Sequence, residues 1–264
     1  MDENALIALL QSEWGSLKKP YKFGYDDGSG FRLYRSINFS ELTDDAKARL
    51  CEIAIIYSSP NLGSMISDED IPWVLSGFAT DLAYSSLATR RKIPLVTAIN
   101  IILEKPRFLN LLGLPFFNEH FAVVTPYLIA ELELWTRINS PYLNFQGLVT
   151  KEIPKTVAAP KRHKQKAKKR GTRENRIGVA LRSMLFRNKS DLAQRIKRLD
   201  RGFKAYEVME NGNPRRIESI ADRIDHTRNL IMHGEANLIP SEAYFFAFLL
   251  AIYFYSMDKS VLGS

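Results

Sequence analysis

One stretch, residues 217–235, constrains the fold more strongly than any other part of this chain. Its isoleucines recur at the spacing of an α-helix and fall on one face. These residues are Ile217, Ile220, Ile224 and Ile231. Gly234 follows the pattern, and glycine readily adopts the left-handed conformation that ends a helix. The pattern therefore predicts one amphipathic helix that buries its isoleucines against other elements.

The face of this helix opposite the isoleucines carries polar side chains. They are Asp222, Asp225, Asn229 and His233. Asn229 and His233 are four residues apart, so they are neighbours on that face. Arg228 lies between the two faces, and its long side chain can reach either. An ordinary surface histidine would give the same pattern as His233, so amphipathicity alone assigns it no role.

Helical periodicity recurs through most of the chain and predicts a mainly α fold. The predicted helices are 3–19, 44–58, 69–92, 126–139, 174–187, 191–208, 217–235 and 242–257. Two short alternating runs within residues 21–40 predict a small β-hairpin. The last four helices are joined by short turns, which predicts a four-helix bundle. We therefore expect a mostly helical N-terminal domain (1–150) of unassigned role, a basic linker (151–173) and a C-terminal bundle (174–264).

The motif at residues 228–234, RNLIMHG, resembles the signature of the HEPN superfamily. That signature is an arginine followed by a histidine at Arg-x(4–6)-His spacing, often with Asn or another polar residue after the arginine, and this chain has Arg-x4-His. The resemblance covers about residues 174–264. It implies a HEPN-like helical bundle, and many such proteins resemble one another in being metal-independent endoribonucleases that act as dimers. RNA would then be the substrate, and a homodimer would form through the C-terminal bundle.

The resemblance also implies a role for each motif residue. His233 would be the general acid or base, since histidine titrates near neutral pH. Arg228 would stabilise the charge on the reacting phosphate, and Asn229 would orient the substrate or contact RNA. RNA supplies its own nucleophile, the 2′-hydroxyl, so the products would carry 2′,3′-cyclic phosphates. Such domains often serve as toxins or anti-phage effectors, with a protein partner that inhibits or activates them.

The net charge of +8 comes mainly from one segment, residues 161–173, which holds eight Lys and Arg residues and no acid. Outside this segment the basic and acidic residues balance. The segment lacks apolar periodicity and predicts an exposed tether. It is either a solvated linker or an arm that binds nucleic-acid phosphates. The candidate phosphate contacts are Lys161, Arg162, Lys164, Lys166, Lys168, Lys169 and Arg170.

Two functions other than an enzyme remain open. The first is a non-catalytic, HEPN-like binding module, in which Arg228 pairs with Asp225 and His233 caps a helix. The second is a nucleic-acid adaptor that works through the basic linker alone. Deletion of residues 161–173 would abolish the function of an adaptor but would only weaken substrate binding by a nuclease.

Several classes of protein and site are disfavoured. The single cysteine, Cys51, excludes an internal disulfide and a multi-cysteine zinc site. The acidic N-terminus does not resemble a secretory signal, and the apolar run 243–255 is too short to span a bilayer, so we expect a cytoplasmic protein without membrane contact. His226 lies seven residues before His233, whereas helical metal-binding histidines usually lie four apart. We therefore expect neither a metal nor a cofactor.

Overall fold

The computed structural model describes residues 39, 42–57, 70–103, 119–154, 157, 168–174, 176–185, 190–203, 205–210, 212–233 and 240–257. These residues contain eight α-helices and one two-stranded antiparallel sheet. The helices are α1 (Asp44–Tyr57), α2 (Asp70–Tyr84), α3 (Thr89–Leu103), α4 (Glu119–Asn139), α5 (Ile177–Leu185), α6 (Asp191–Gly202), α7 (Ile220–Met232) and α8 (Pro240–Ser256). The strands are β1 (Tyr206–Glu210) and β2 (Asn213–Ile217). The predicted fold class, mainly α with a small β-hairpin, is confirmed.

The chain divides into two compact units. Unit 1 comprises Met1–Glu104 and Ala247–Ser264, and unit 2 comprises Lys105–Phe246. Helix α8 therefore begins in unit 2 and ends in unit 1. The division expected from the sequence, at residues 150 and 173, does not coincide with these units. As a result, the motif helix α7 shares its unit with α4, which the sequence assigned to the N-terminal domain.

Helix α1 of unit 1 begins where the sequence predicts. The Thr43 hydroxyl accepts a hydrogen bond from the Ala46 N–H at 3.2 Å, which is the geometry of an N-cap. Asp44 and Asp45 follow in the first turn, where the helix dipole favours negative charge. The predicted helix 3–19 and the hairpin predicted within residues 21–40 lie outside the described residues, Phe39 excepted.

The single helix predicted over residues 69–92 is wrong, because α2 ends at Tyr84 and α3 begins at Thr89. Ser85 supplies the reason for the break. Its hydroxyl donates to the Leu82 carbonyl at 2.7 Å and accepts from the Leu87 N–H at 3.3 Å. A serine that bonds nearby backbone in this way competes with the helix for the same groups.

Unit 1 has an aromatic core that encloses one charged pair. The Phe78 ring meets Phe254 and Tyr255 edge-on, with centroids 5.7 and 5.8 Å away. Asp81 accepts hydrogen bonds from the Lys47 ammonium at 2.7 Å and from the Tyr255 hydroxyl at 2.8 Å. Burial raises the pKa of Tyr255 well above its ordinary value, and the nearby Cys51 and Asp81 raise it further. The tyrosine therefore remains a neutral donor to Asp81.

Helix α5 lies at the centre of unit 2, and α4, α6 and α7 all contact it. Its side chains are buried from Ile177 to Leu185 except for Arg182. Gly178 allows the closest approach of α7, because a Cβ there would fall 2.1 Å from a carboxylate oxygen of Asp225. Helix α4 is longer than the predicted 126–139 and contains Pro126 within it.

The hairpin occurs where the sequence predicted helical structure. The helix predicted over 191–208 ends at Gly202, and Tyr206–Glu210 pairs with Asn213–Ile217 instead. Gly212 occupies the turn with a φ of +75°. Ile217 is consequently the last residue of β2 rather than the first of the motif helix. That helix begins at Ile220, where the Ser219 hydroxyl accepts the Asp222 N–H at 3.1 Å.

The described part of the basic segment differs from an exposed tether. Ile153 pairs with Lys168 and Leu148 with Arg173 in isolated antiparallel bridges. Val149, Ile153 and Val157 are buried in one cluster with Leu143, Val179 and Ala180. Both sides of the segment are therefore anchored in unit 2.

Helix α8 is enclosed, as the sequence predicts. Every side chain from Phe245 to Tyr253 is completely buried. Among the helices that the structure describes, α8 included, none has the length and apolarity that crossing a membrane requires.

Candidate functional site

The first turns of the motif helix α7 are locked into unit 2. Ile220 and Ile224 are fully buried. Arg223 is buried too, where it donates to Glu242 at 3.0 Å and stacks on Phe245, with 3.9 Å from the guanidinium carbon to the ring centroid. The Ile220 N–H donates to Asp200 at 3.0 Å. These contacts fix the axis and rotation of the helix before the chain reaches the motif.

The two aspartates on the predicted polar face, Asp222 and Asp225, are turned toward α5. Asp225 accepts the Gly178 N–H at 2.7 Å. Arg182 approaches Asp222 at 3.7 Å and Asp225 at 3.8 Å. Burial raises the pKa of Asp225, while the Gly178 hydrogen bond and the Arg182 charge act against that rise. This side of α7 is therefore an interhelical contact, and Asp225 pairs with Arg182.

The last turn of α7 differs from the others, because its side chains reach solvent. His233 is exposed, Met232 has 68% of its surface exposed, and Asn229 is half-buried. His233 occupies the C-cap, where its backbone N–H donates to the Asn229 carbonyl at 3.0 Å. Gly234, the predicted helix terminator, lies outside the described residues. Within this turn the imidazole is accessible to a ligand from solution.

Arg228 turns toward helix α4. Its Nε lies 3.7 Å from a carboxylate oxygen of Glu133, and one quarter of its side chain is exposed. Glu133 also forms an ion pair with Arg137, one turn further along α4. Among the predicted site residues, Arg228, Asn229 and His233 thus share one end of one helix. The Glu133 carboxylate holds Arg228, whereas His233 is exposed to solvent.

The sequence did not identify Glu133 and Arg137 as neighbours of the motif. They are four residues apart on α4, a spacing that predicts a pair on a helix surface. Their proximity to Arg228 depends on how α4 packs beside α7, and no local pattern carries that information. The four-residue spacing is therefore a signal for a Glu–Arg pair, but nothing in the sequence locates that pair beside the motif.

Of the seven candidate phosphate contacts in the basic segment, the structure describes Lys168, Lys169 and Arg170. Lys169 and Arg170 are exposed. Lys168 approaches Glu174 at 3.4 Å, and Arg176 binds the same carboxylate at 3.0 Å through its backbone N–H. Burial alone would raise the pKa of Glu174, but the hydrogen bonds and charge of Arg176 and the charge of Lys168 lower it overall. Lys161, Arg162, Lys164 and Lys166 lie outside the described residues.

His226 has a buried environment, in contrast to His233. Its Nδ1 lies 3.8 Å from Glu210, too far for a direct hydrogen bond. Burial lowers its pKa, as does the charge of Arg215, while Glu210 and Glu242 act in the opposite direction. In the part of the chain that the structure describes, no three His, Cys, Asp or Glu side chains are grouped so that they could hold a metal ion.

The arrangement combines groups suited to acid–base chemistry on an anion. An exposed imidazole can exchange a proton with a bound substrate. A guanidinium 3.7 Å from a carboxylate is attracted to it without donating a direct hydrogen bond to it. Comparison with protein-family models, with curated proteins and with solved structures finds no match to this chain.

Proposed function

We propose that this protein is a metal-independent endoribonuclease whose site is the C-terminal turn of α7. The observation that carries the proposal is the exposed His233 at the end of a helix whose earlier turns are locked into the core. A flexible surface histidine would lack such support. Arg228 and Asn229 lie in the preceding turn of the same rigid helix, which is the pre-organisation that a catalytic group needs.

The chemistry follows from RNA itself. The 2′-hydroxyl attacks the adjacent phosphorus, a histidine accepts its proton, and the 5′-oxygen leaves with a proton from a second acid. Arg228 stabilises the additional negative charge on the pentacoordinate phosphorus. The products are a 2′,3′-cyclic phosphate and a 5′-hydroxyl. Asn229, one turn before His233, orients the imidazole or the ribose.

One imidazole does not easily serve as base and acid in the same step. We therefore propose a homodimer in which the exposed ends of two α7 helices face one another and each supplies a histidine. Cleavage per chain should then increase with protein concentration until the dimer is saturated. From the resemblance of residues 228–234 to the HEPN signature, we also propose a biological role as a toxin or anti-phage effector. An inhibitory or activating protein partner would control it.

The test is incubation of the purified protein with mixed RNA in EDTA, followed by end-group analysis of the fragments. Wild-type protein should release 2′,3′-cyclic phosphate ends. His233→Ala and Arg228→Ala should each lower the cleavage rate roughly a hundredfold or more, because each removes a group that acts in the transition state. Arg216→Ala is the matched control, since Arg216 is an exposed arginine of unit 2 outside the motif.

Two outcomes would contradict the proposal. One is cleavage that persists in both motif variants while circular dichroism shows them folded. The other is cleavage that appears only when a divalent metal is added. Either result would show that Arg228 and His233 do not carry out metal-independent cleavage.

A second candidate function is a non-catalytic module that binds nucleic acid, and one observation favours it. The ion pair of Arg228 with Glu133 gives the arginine a structural partner, as expected of a helix-packing residue. Lys169 and Arg170 would then bind phosphates from their anchored segment. This alternative predicts RNA binding without cleavage, and it predicts that His233→Ala leaves the affinity unchanged.

A further inference from the structure

Three charged side chains meet between α4 and α7. The Glu133 carboxylate pairs with Arg137 on its own helix, and its other oxygen lies 3.7 Å from Arg228 Nε on α7. The three side chains are 16%, 15% and 25% exposed respectively. They are therefore sheltered enough for Coulomb attraction to be stronger than at an open surface, yet they remain accessible from one side.

The Arg137 side chain also contacts the backbone at Gly147. A Cβ built on Gly147 would lie 3.0 Å from the guanidinium carbon of Arg137 and 3.0 Å from the Glu174 carbonyl oxygen. The guanidinium thus packs directly against the Gly147 backbone. The Glu174 N–H in turn donates to the Gly147 carbonyl at 2.9 Å. Because this backbone limits the movement of Arg137, one Glu133 oxygen has a fixed partner while the other lies near Arg228.

We propose that Glu133 is a positioning residue that orients Arg228 toward a singly charged phosphodiester. This proposal rests on the function proposed above. Two guanidiniums and one carboxylate leave one net positive charge, which a backbone phosphodiester neutralises. At 3.7 Å the contact is too long for a direct hydrogen bond, so the carboxylate attracts the guanidinium without using its donors. Those donors are the groups that a phosphate binds.

The test compares Glu133→Gln with Glu131→Gln. Both substitutions remove one charge from α4, but Glu131 accepts the Trp135 indole N–H at 3.1 Å and lies on a different side of the helix. In Glu133→Gln we expect kcat for RNA cleavage in EDTA to fall about tenfold, because a misplaced guanidinium stabilises the transition state less well. KM should not rise, since the variant is more positive. Glu131→Gln should retain wild-type values.

A second measurement reports on Arg228 without cleavage. The Nε–H cross-peak of Arg228 in the NMR spectrum is assigned by its loss in Arg228→Lys. Glu133→Gln should shift or broaden that peak, and Glu131→Gln should leave it in place. Arg137→Gln, which keeps the charge of Glu133 but removes its fixed partner, should also perturb the peak and lower kcat.

The outcomes separate this inference from the proposed function. An unmoved Arg228 cross-peak, or a kcat that is unchanged or raised in Glu133→Gln, would overturn the positioning role. A raised kcat would instead identify Glu133 as a competitor of the phosphate. If the wild-type protein does not cleave RNA, the proposed function fails, and the cross-peak still decides whether Glu133 orients Arg228. If Glu133→Gln does not fold, Arg137→Gln supplies both readouts.

Discussion

His226 and His233 lie seven residues apart on α7, yet their surroundings are opposite. Seven residues are close to two helical turns, so both side chains project in similar directions. His226 is 7% exposed, while His233 is open to solvent. Two hairpin residues act on His226: Glu210 lies 3.8 Å from its Nδ1, and the charge of Arg215 also reaches it. The position of each histidine along α7, rather than the face it shares with the other, decides which imidazole is exposed to solvent.

The burial of His226 predicts a pH dependence of stability. Burial lowers its pKa below the ordinary 6.5, so the unfolded chain binds a proton more readily than the folded chain does. The contribution of the neutral imidazole is fully present above pH 6.5 and is lost as the pH falls through the lower folded pKa. We expect the free energy of unfolding, measured with urea, to fall over this range more steeply in wild type than in His226→Gln.

Two half-buried carboxyls, Asp200 and Asp225, change the stability in the opposite direction as the pH falls. Burial raises the pKa values of Asp200 and Asp225 above the ordinary 3.8. Their protonation therefore favours the folded state as the pH falls. Both proteins retain these groups, so the difference between their two pH profiles isolates His226. Profiles that run parallel from pH 8 to pH 5 would show that His226 makes no contribution.

At the scale of elements, the bridged chain segments on either side of the basic run include two glycines with positive φ. Gly147 has a φ of +78° and Gly171 a φ of +83°, both in the left-handed region. An alanine at either position should cost about 1–2 kcal/mol in backbone strain. At Gly171 the new Cβ meets nothing within 4 Å, whereas at Gly147 it lies 3.0 Å from Arg137 and from the Glu174 carbonyl oxygen.

These surroundings predict unequal effects of two similar substitutions. Gly147→Ala should lower the free energy of unfolding by roughly 1–3 kcal/mol more than Gly171→Ala does, because overpacking adds to strain. Urea unfolding of the two variants beside wild type measures the difference. Equal losses would mean that Arg137 moves aside at little cost, and Glu133 would then lack its fixed partner.

Elements with local signals were predictable from the sequence. Thr43 followed by two acids is an N-cap pattern that indicates the start of α1, and the unbroken apolar run 243–255 is typical of an enclosed helix. The Asn211-Gly212 pair is the strongest short-range signal of a β-hairpin. The helical spacing of Phe203 and Tyr206 opposes that signal, because it extends the predicted helix 191–208 into β1.

Contacts between distant segments were not predictable in this way. The pairing of Ile153 with Lys168 joins residues on either side of the basic run, whose composition indicates only a solvated tether. The contact between Glu133 and Arg228 joins residues that are far apart in sequence. Local propensity and periodicity describe neighbouring residues only, so they do not predict contacts between distant segments. The motif residues are contiguous in the sequence, whereas the carboxylate beside Arg228 is contributed by a distant helix.

At the scale of the whole molecule, the net charge of +8 is concentrated in a segment whose two sides are anchored in unit 2, the unit that contains the motif. An anchored cluster of cations can hold a polyanion near a fixed site, whereas a free tether would hold it at many distances. We therefore expect the exposed Lys169 and Arg170 to contribute to affinity for RNA of any sequence.

The salt dependence of RNA binding tests this expectation. Each phosphate contact on a single strand releases counterions and contributes about 0.7 to the slope of log affinity against log salt, so Lys169→Gln with Arg170→Gln should reduce that slope by about 1.4. Fluorescence anisotropy with a labelled single-stranded RNA, in a His233→Ala background that should prevent cleavage, measures the slope. Arg216→Gln removes an exposed charge from the hairpin and should leave it unchanged. Equal slopes in all proteins would exclude Lys169 and Arg170 from the RNA interface, because a cation that contacts phosphate cannot be removed without changing the number of ions released.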